Sequence, residues 1–153
     1  MTAEENLLRL GIDLPVAPVS LANYVGWVRT RNLIVISGQL PLENGDVKYV
    51  GKVGKELTVE QGYLAARLAA INGLAQIHQA ICNLEKIVRI VRLEGSVFSE
   101  DNFTKQSQVL NGASDLFVEV FEERGRHTRI ALGVSAMPLR AAVQLSFWVE
   151  VRD

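Results

Sequence analysis

The end of the chain alternates apolar and other side chains with a strict period of two. The apolar positions of this alternation are Val143, Leu145, Phe147, Val149 and Val151. Successive side chains of a β-strand point to opposite faces of the sheet, so these five share one face. A face this apolar has to be covered by a second layer of structure. The chain must therefore fold as a sheet with another layer packed against one side.

Two segments have the helical spacing needed to form that layer. Thr58 and Gln61 have the spacing of a capping box, which predicts a long helix that begins here and ends near Asn83. Its apolar stripe consists of Leu64, Leu68, Ile71 and Ala75, widened by Ala66, Ala70, Ile77 and Ile81. A second amphipathic segment spans residues 103–121 and is closed by Gly125.

The other periodic segments predict strands. They comprise a hairpin of residues 24–29 and 33–37, a strand of residues 87–97, and a strand that begins at Arg129. Residues 87–97 have apolar side chains on both parities, which indicates an interior strand. The Gly-rich segment between the hairpin and the first long helix has room for one more short strand, around Tyr49.

A short helix is predicted over residues 4–10, where Gly11 and Pro15 stop it. We expect one domain, residues 1–153, in which residues 1–16 are an N-terminal helical extension. After the extension the order of elements is β-β-(β)-α-β-α-β-β. This order predicts an α+β fold with two long helices packed on one face of a mixed sheet.

The strand that begins at Arg129 determines what the uncovered face of the sheet contains. We predict that Ile130 lies under the helices. The opposite face would then carry Arg129 and Gln144 among small residues and a tryptophan, namely Ala131, Gly133, Ser146 and Trp148. A face in contact with water would carry more Lys and Glu. We therefore predict a homo-oligomer in which Arg129 and Gln144 lie near a subunit boundary.

Composition argues against several classes of partner. Sixteen Lys and Arg residues face seventeen Asp and Glu residues, so no overall field attracts nucleic acid or an anionic membrane. The single cysteine, Cys82, excludes an internal disulfide and fits a reducing compartment. The acidic N-terminus does not resemble a signal peptide, and no apolar run is long enough to span a bilayer. We expect a cytoplasmic protein.

Three catalytic or metal motifs are incomplete. His78 and Cys82 are one helical turn apart but supply two zinc ligands with no evident third, so we predict no metal. The segment from Gly45 to Gly51 has five residues between its glycines where a P-loop has four. Ser135 lacks the second glycine of a nucleophile elbow.

Arg129 belongs to a basic cluster with Arg124, Arg126 and His127. Positive charge at a helix C-terminus explains Arg124 and Arg126. It does not explain Arg129, for which two interpretations stay open. One is a structural ion pair, with Glu150 or with an acidic residue of a partner. The other is a two-point site for a carboxylate.

Several segments resemble the Rid family, also called YjgF-like or endoribonuclease L-PSP-like. They are NLIVISGQLPL, the long Ala-rich helix, VRIVRLEGSV, DLFVEVF and TRIALGVSAMPL, in the order and spacing of that family. The resemblance covers residues 17–151. The N-terminal helix and the stretch LNGASDLFVEVFEERGRHTR resemble most closely a longer subgroup of the family.

The resemblance implies a chorismate-mutase-like fold of the bacillary type, assembled as a homotrimer with clefts between subunits. In such a cleft, Arg129 would bind the carboxylate of a 2-imino acid. Tyr24, from across the interface, and the turn of Ser37 and Gly38 would enclose it. The implied reaction hydrolyses small imino or enamine acids to 2-keto acids and ammonia, without a cofactor.

The sequence departs from the family at two of these positions. Gln144 stands where the archetypal deaminases have a glutamate, and an amide cannot act as a base at neutral pH. Ser114, with Asn111 one turn earlier, stands nearest to the place of the family's asparagine. Glu150 could replace the missing base, the substrate could need no base, or the protein could bind without turnover.

Three functions follow from this resemblance. The first is a Rid-type hydrolase in which Arg129 clamps the carboxylate and Gln144 orients water. The alternative is a non-catalytic trimer that binds small carboxylates. The third is an endoribonuclease-like translation inhibitor, which the balanced charge disfavours because it provides no evident track for an RNA backbone.

Overall fold

A computed structural model describes all residues, 1–153. Its helices are α1 (Ala3–Arg9), α2 (Val59–Ile81) and α3 (Gln106–Phe121). Its strands are β1 (Trp27–Thr30), β2 (Leu33–Ile36), β3 (Leu42–Glu43), β4 (Asp46–Val47), β5 (Ile87–Phe98), β6 (Thr128–Val134) and β7 (Val143–Val151). Short 3₁₀ turns follow α2 and α3 and precede β7, at Leu84–Lys86, Glu122–Gly125 and Pro138–Arg140.

Five of the strands form one mixed sheet in the order β1-β2-β7-β5-β6. β7 runs antiparallel to both of its neighbours, β2 and β5, whereas β5 and β6 run parallel. The segment from β5 to β6 contains α3, as a parallel connection requires a crossover. These findings confirm the predicted mixed sheet and the interior position of β5, and they leave β6 as an edge strand.

The core lies between one face of this sheet and the two long helices. The alternating apolar row of β7 is fully buried there, as its period predicted. α2 begins at Thr58, whose hydroxyl accepts from the Gln61 amide while the Gln61 side chain accepts from the Thr58 amide, so the capping box is confirmed. The helices approach closely because Gly112 packs against the Tyr63 carbonyl, where any side chain would collide.

α1 is packed into the rest of the molecule. Ala3 and Leu7 are buried in the core, and Asn6 Nδ2 donates to the Val120 carbonyl of α3 at 3.0 Å. The amide of Ala3 donates to the Glu85 carboxylate at 2.7 Å. That carboxylate also accepts from Arg124 Nη2 at 3.0 Å, which ties the helix to the turns that follow α2 and α3.

The predicted orientation of β6 is wrong. Ile130 and Leu132 are 42% and 54% exposed, on the face away from the helices, which we call the open face. The cross-strand register agrees. Ile130 lies opposite Glu94, and Glu94 lies opposite Ser146, which alternates with the buried apolar row of β7 and so faces away from the helices. Arg129, Ala131 and Gly133 therefore point to the helix side.

Close packing of α3 explains this orientation. A Cβ on Gly133 would lie 2.6 Å from Gln106 Nε2 and 2.9 Å from Ser99 Oγ. Ala131 packs against the core cluster. The small residues of β6 thus make room for the start of α3, and its larger residues are left on the open face.

Two local predictions also differ from the structure. Instead of a strand at Tyr49, the Gly-rich segment forms the β3–β4 hairpin, and Asn44 and Gly45 connect it with φ of 53° and 85°. Such positive angles suit a two-residue hairpin turn. The second long helix begins at Gln106 rather than at Phe103, which packs beside the core before the helix starts.

None of the helices has both the length and the apolar character that crossing a membrane requires. On the open face, Val28 is 55% exposed in addition to Ile130 and Leu132. This face also carries Gln144, Ser146 and Trp148 from β7, all half-buried. The open face is thus a mixture of apolar and polar groups that the chain itself does not cover.

Candidate functional site

Arg129 lies on the edge strand β6 and reaches across to α3. Its Nη1 donates to Asn111 Oδ1 at 2.8 Å and to Ser114 Oγ at 3.1 Å. Its Nη2 donates to the Ser107 carbonyl at 3.3 Å. Asn111 and Ser107 are one turn apart, and Ser114 is nearly one turn further on, so one face of α3 holds the guanidinium.

This guanidinium keeps binding capacity for an external group. A guanidinium has five N–H donors, and the contacts with α3 use three of them. The Nε–H and one N–H of Nη2 have no partner in the chain. Nε and Nη2 are neighbours on one edge of the planar group, which is the geometry that grips a carboxylate at two points.

No carboxylate of the chain neutralises Arg129. None of the ion pairs in the structure includes it. Glu150, the intramolecular partner considered from the sequence, lies on β7 opposite Leu33 and Arg89, with β5 between it and β6. The predicted alternative of an ion pair with Glu150 is therefore wrong, and Arg129 is a half-buried cation without a counter-ion.

A serine–histidine pair adjoins the arginine. Ser114 Oγ lies 2.9 Å from His127 Nε2, and His127 Nδ1 lies 2.6 Å from the Gly125 carbonyl. A carbonyl oxygen only accepts hydrogen bonds, so Nδ1 carries the proton of the neutral ring. Nε2 is then the acceptor, and it receives the Ser114 hydroxyl proton. The Ser114 oxygen in turn accepts from Arg129.

The environment of His127 favours the neutral ring. Burial lowers the pKa of His127 below its ordinary value of 6.5. The Gly125 carbonyl opposes this change, whereas the positive charge of Arg129 lowers the pKa further. The ring also packs edge-on against Phe117, with 5.4 Å between ring centroids. We call Arg129, Asn111, Ser114 and His127 the arginine cluster.

The other predicted site residues gather elsewhere. Tyr24, Ser37 and Gly38 line one depression, together with Leu139. Ser37 Oγ donates to the Val25 carbonyl at 2.6 Å, which fixes the turn, and Tyr24 is 56% exposed. Gln144 lies against Gly38, since a Cβ atom added to Gly38 would be 2.7 Å from Nε2 of Gln144. We call Tyr24, Ser37, Gly38 and Gln144 the loop cluster.

Within one chain, the arginine cluster and the loop cluster do not lie together. Gln144 lies opposite Ser96 and points to the open face, whereas Arg129 lies opposite Leu93 and points to the helix side. The prediction that Arg129 and Gln144 share a face is therefore wrong. The alternation of β6 is misleading, because its large apolar side chains are exposed and its small residues face the helices.

The role of His127 beside Ser114 was not predicted from the sequence. One signal could have found it, because His127 and Arg129 are two residues apart and side chains at this spacing share one face of an extended chain. Elsewhere, His78 and Cys82 are both exposed, and no group of three or more His, Cys, Asp or Glu side chains is arranged to hold a metal ion.

Comparisons place the chain among related proteins. The family model described as "YjgF/chorismate mutase-like, putative endoribonuclease" matches residues 4–151. Protein TCP17 of Trypanosoma cruzi is 43% identical over 149 residues, which cover 97% of this chain and 93% of that protein.

Two solved structures resemble the whole chain. One is a putative endoribonuclease from Shewanella oneidensis, with 36% identity, a TM-score of 0.95, and coverage of 99% of this chain and 100% of that one. The other is protein Atu1372, of unknown function, from Agrobacterium tumefaciens, with 42% identity, a TM-score of 0.92, and coverage of 98% and 92%.

The lowered pKa of His127 makes stability depend on pH. In the window just below pH 6.5 the unfolded chain binds more protons at this residue than the folded chain does. We therefore expect the free energy of unfolding to fall as the pH drops through this window. His127→Gln should remove this part of the dependence, whereas His78→Gln, at an exposed position on α2, should retain it. Urea unfolding at one protein concentration from about pH 5 to 8 measures the effect, and identical slopes for His127→Gln and the unmodified protein would contradict it.

Proposed function

Because the chain belongs to the YjgF/chorismate-mutase-like family, we propose that it hydrolyses small 2-imino or enamine acids to 2-keto acids and ammonia. The observation that carries this proposal is the half-buried guanidinium of Arg129, which has two N–H groups and a positive charge without partners in the chain. Such a group suits a small organic anion. We assign it the substrate carboxylate.

Hydrolysis of an imine requires few protein groups beyond the one that binds the carboxylate. The carbon of an imine is already electrophilic, so water attacks it without a metal or a covalent nucleophile. What the protein must supply is orientation of the substrate and of one water molecule, a contribution that can lower the barrier by several kcal/mol, about 7–11 in favourable cases. Asn111 and Ser114 hold the guanidinium in place before the substrate arrives, which reduces the cost of ordering it.

A neighbouring copy of the chain would complete the site. The arginine cluster lies at the β6 edge on the helix side, and the loop cluster lies toward the open face. Two different patches that contact each other generate a ring when the rotation between copies closes. We propose a homotrimer of this kind, in which the arginine cluster of one copy meets Tyr24, Ser37, Gly38 and Gln144 of the next.

The open face supports this assembly. Val28, Ile130 and Leu132 each expose about half of their surface there, beside the half-buried Trp148. Exposed apolar side chains among polar groups, which the chain itself does not cover, suit contact with another protein surface. A second copy that covers this face would bury these side chains and bring Gln144 to the boundary between copies.

A second candidate function is binding of 2-keto or imino acids without turnover. Gln144 favours it, because its amide orients a water but does not take up a proton. Calorimetry with 2-oxobutanoate and an assay for ammonia release separate the two. Binding that requires Arg129, with no turnover at any pH, would support the binding function, and a gain of turnover in Gln144→Glu would then identify the missing base as the reason.

Cleavage of RNA has less support. The Shewanella relative is described as a putative endoribonuclease. In this chain the basic side chains are matched by acidic ones, and Arg29, Arg67, Arg92, Arg124, Arg126 and Arg140 are each engaged in an ion pair. Binding of a nucleic acid backbone requires a track of available positive charge.

The assembly can be tested with one substitution on the open face. We expect the protein to sediment as a trimer at micromolar concentration and Leu132→Glu to dissociate it, because a carboxylate buried without a partner is costly. Leu8→Glu is the matched control, since Leu8 is a 76% exposed leucine on α1, away from the open face. A monomeric unmodified protein, or a trimeric Leu132→Glu variant, would argue against the proposed interface.

The carboxylate clamp can be tested on the reaction. Arg129→Ala removes two charge-assisted hydrogen bonds, each of about 1.5–3 kcal/mol, so kcat/KM for freshly generated 2-iminopropanoate should fall by about 100-fold or more. Arg29→Ala removes an exposed arginine outside both clusters that is paired with Asp153 at 3.1 Å, and it should leave the rate unchanged. Ammonia release above the uncatalysed rate is the measurement, and equal rates for Arg129→Ala and the unmodified protein would refute the clamp.

A further inference from the structure

Hydrolysis of an imine releases a proton from the attacking water, and Gln144 does not accept it. The amide of glutamine has no basic atom at neutral pH. Glu150 is separated from the arginine cluster by strand β5 within one chain. If the proposed function holds, on which this inference rests, another group near Arg129 must take the proton.

We propose that Ser114 and His127 form the proton-accepting pair of this site. The Ser114 hydroxyl receives a proton from the attacking water while it passes its own proton to Nε2 of His127. His127 thus serves as the base through Ser114, in the place of the carboxylate that Gln144 does not provide.

The geometry matches the arrangement that activates a hydroxyl. Ser114 Oγ and His127 Nε2 are 2.9 Å apart, within the range of a nucleophile and its base. The Gly125 carbonyl, 2.6 Å from Nδ1, holds the ring in the tautomer whose Nε2 has a free lone pair. The pair therefore has a base, a hydroxyl and a group that orients the base.

The same hydroxyl lies beside the anion-binding group. Ser114 Oγ accepts from Arg129 Nη1 at 3.1 Å. In a 2-imino acid the electrophilic carbon is bonded directly to the carboxylate carbon. A substrate whose carboxylate is bound by Arg129 therefore has its reacting carbon one bond beyond the group that this guanidinium holds, and we place the attacking water between that carbon and the Ser114 hydroxyl.

The proton and electron balance closes without another reactant. The water oxygen forms a bond to the imine carbon, and the C=N π pair moves to nitrogen. The water proton goes to Ser114, and the Ser114 proton goes to His127, which becomes an imidazolium. That imidazolium returns the proton by the same route to the nitrogen, which gives a neutral carbinolamine. Its remaining O–H proton, also from the water, then passes to the nitrogen through the same pair. The C–N bond breaks as the C=O bond forms, and ammonia and a 2-keto acid leave.

The charges around His127 keep it ready to accept. Arg129 lies two residues further along the chain, and Arg89 and Arg126 line the same surface depression as His127. From α3 it faces Ser114 and Phe117, while the adjacent acid, Asp115, accepts from Tyr63 on α2 at 2.8 Å. No carboxylate lies within 4.0 Å of the ring. Cations without a nearby acid favour the neutral form of the ring.

The orientation of Ser114 differs from what helix structure alone produces. A serine inside a helix commonly hydrogen-bonds the carbonyl four residues earlier or points to water. Ser114 instead directs its hydroxyl between Arg129 of β6 and His127, which lies just before that strand. It therefore joins the anion-binding group to the only histidine near it.

The test compares Ser114→Ala and His127→Gln with the unmodified protein. The glutamine oxygen can still accept from Ser114 but takes up no proton, so this variant preserves the hydrogen bond and removes the base. We expect kcat for 2-iminopropanoate to fall by about 10²–10⁴-fold in both. The dissociation constant for 2-oxobutanoate should not change in His127→Gln and should change by no more than about tenfold in Ser114→Ala.

The pH profile supplies a readout that a structural role would not move. In the unmodified protein kcat/KM should decline on the acid side, below pH 6.5, as His127 becomes protonated. This decline should be absent from the residual activity of His127→Gln. His78→Gln and Ser135→Ala, at exposed positions outside both clusters, are the matched controls and should behave as the unmodified protein does.

Two results would overturn the inference, and they differ in what else they affect. If the unmodified protein is active and both variants keep its rate and its acid limb, the pair is structural and the Arg129 clamp stands. If the unmodified protein releases no ammonia above the uncatalysed rate, the proposed hydrolysis fails and the proton-accepting pair fails with it. Binding of 2-oxobutanoate by each variant shows that the site is folded.

Discussion

The close approach of α3 to strand β6 determines much of this molecule. Gly133 and Ala131 leave room for the start of the helix, and the strand consequently turns its small side to α3 and its large side away. That orientation lets Arg129 reach Asn111 and Ser114. It also places Ile130 and Leu132 on the open face, where the chain itself does not cover them. One packing constraint thus positions both the guanidinium of Arg129 and the uncovered apolar side chains of β6.

Much of the fold could be predicted from local patterns, because strong periods have a single physical solution. The alternation that ends at Val151 and the capping box at Thr58 both specified their elements correctly. β6 could not be oriented this way, since Arg129 to Val134 carries apolar or small residues on both parities. Its orientation depends on how near α3 comes, and that distance is a tertiary property. The contact of Ser114 with His127 depends on the same distance.

The two clusters divide the chemistry between recognition and enclosure. The arginine cluster joins a cation, a hydroxyl and an imidazole in one hydrogen-bonded chain, and three of its four residues lie on α3 and β6. The loop cluster consists of the turn of Ser37 and Gly38, an exposed tyrosine and Gln144 at the start of β7. If a neighbouring copy closes the site, each active centre has one preorganised half and one adaptable half. A change of substrate would then require changes mainly in the loops.

The docking of α1 has a consequence for how the chain folds during synthesis. The partners of this helix are distant in sequence, since Ala3 donates a hydrogen bond to Glu85 and Asn6 donates one to Val120. The residues of α1 therefore leave the ribosome well before their partners and find their place only after residue 120 has been made. A seven-residue helix is marginal in isolation, so this segment stays unstructured in the nascent chain. This segment is made before its partners and becomes ordered after them, and its docking then adds a hydrogen bond to the helix that carries Ser114.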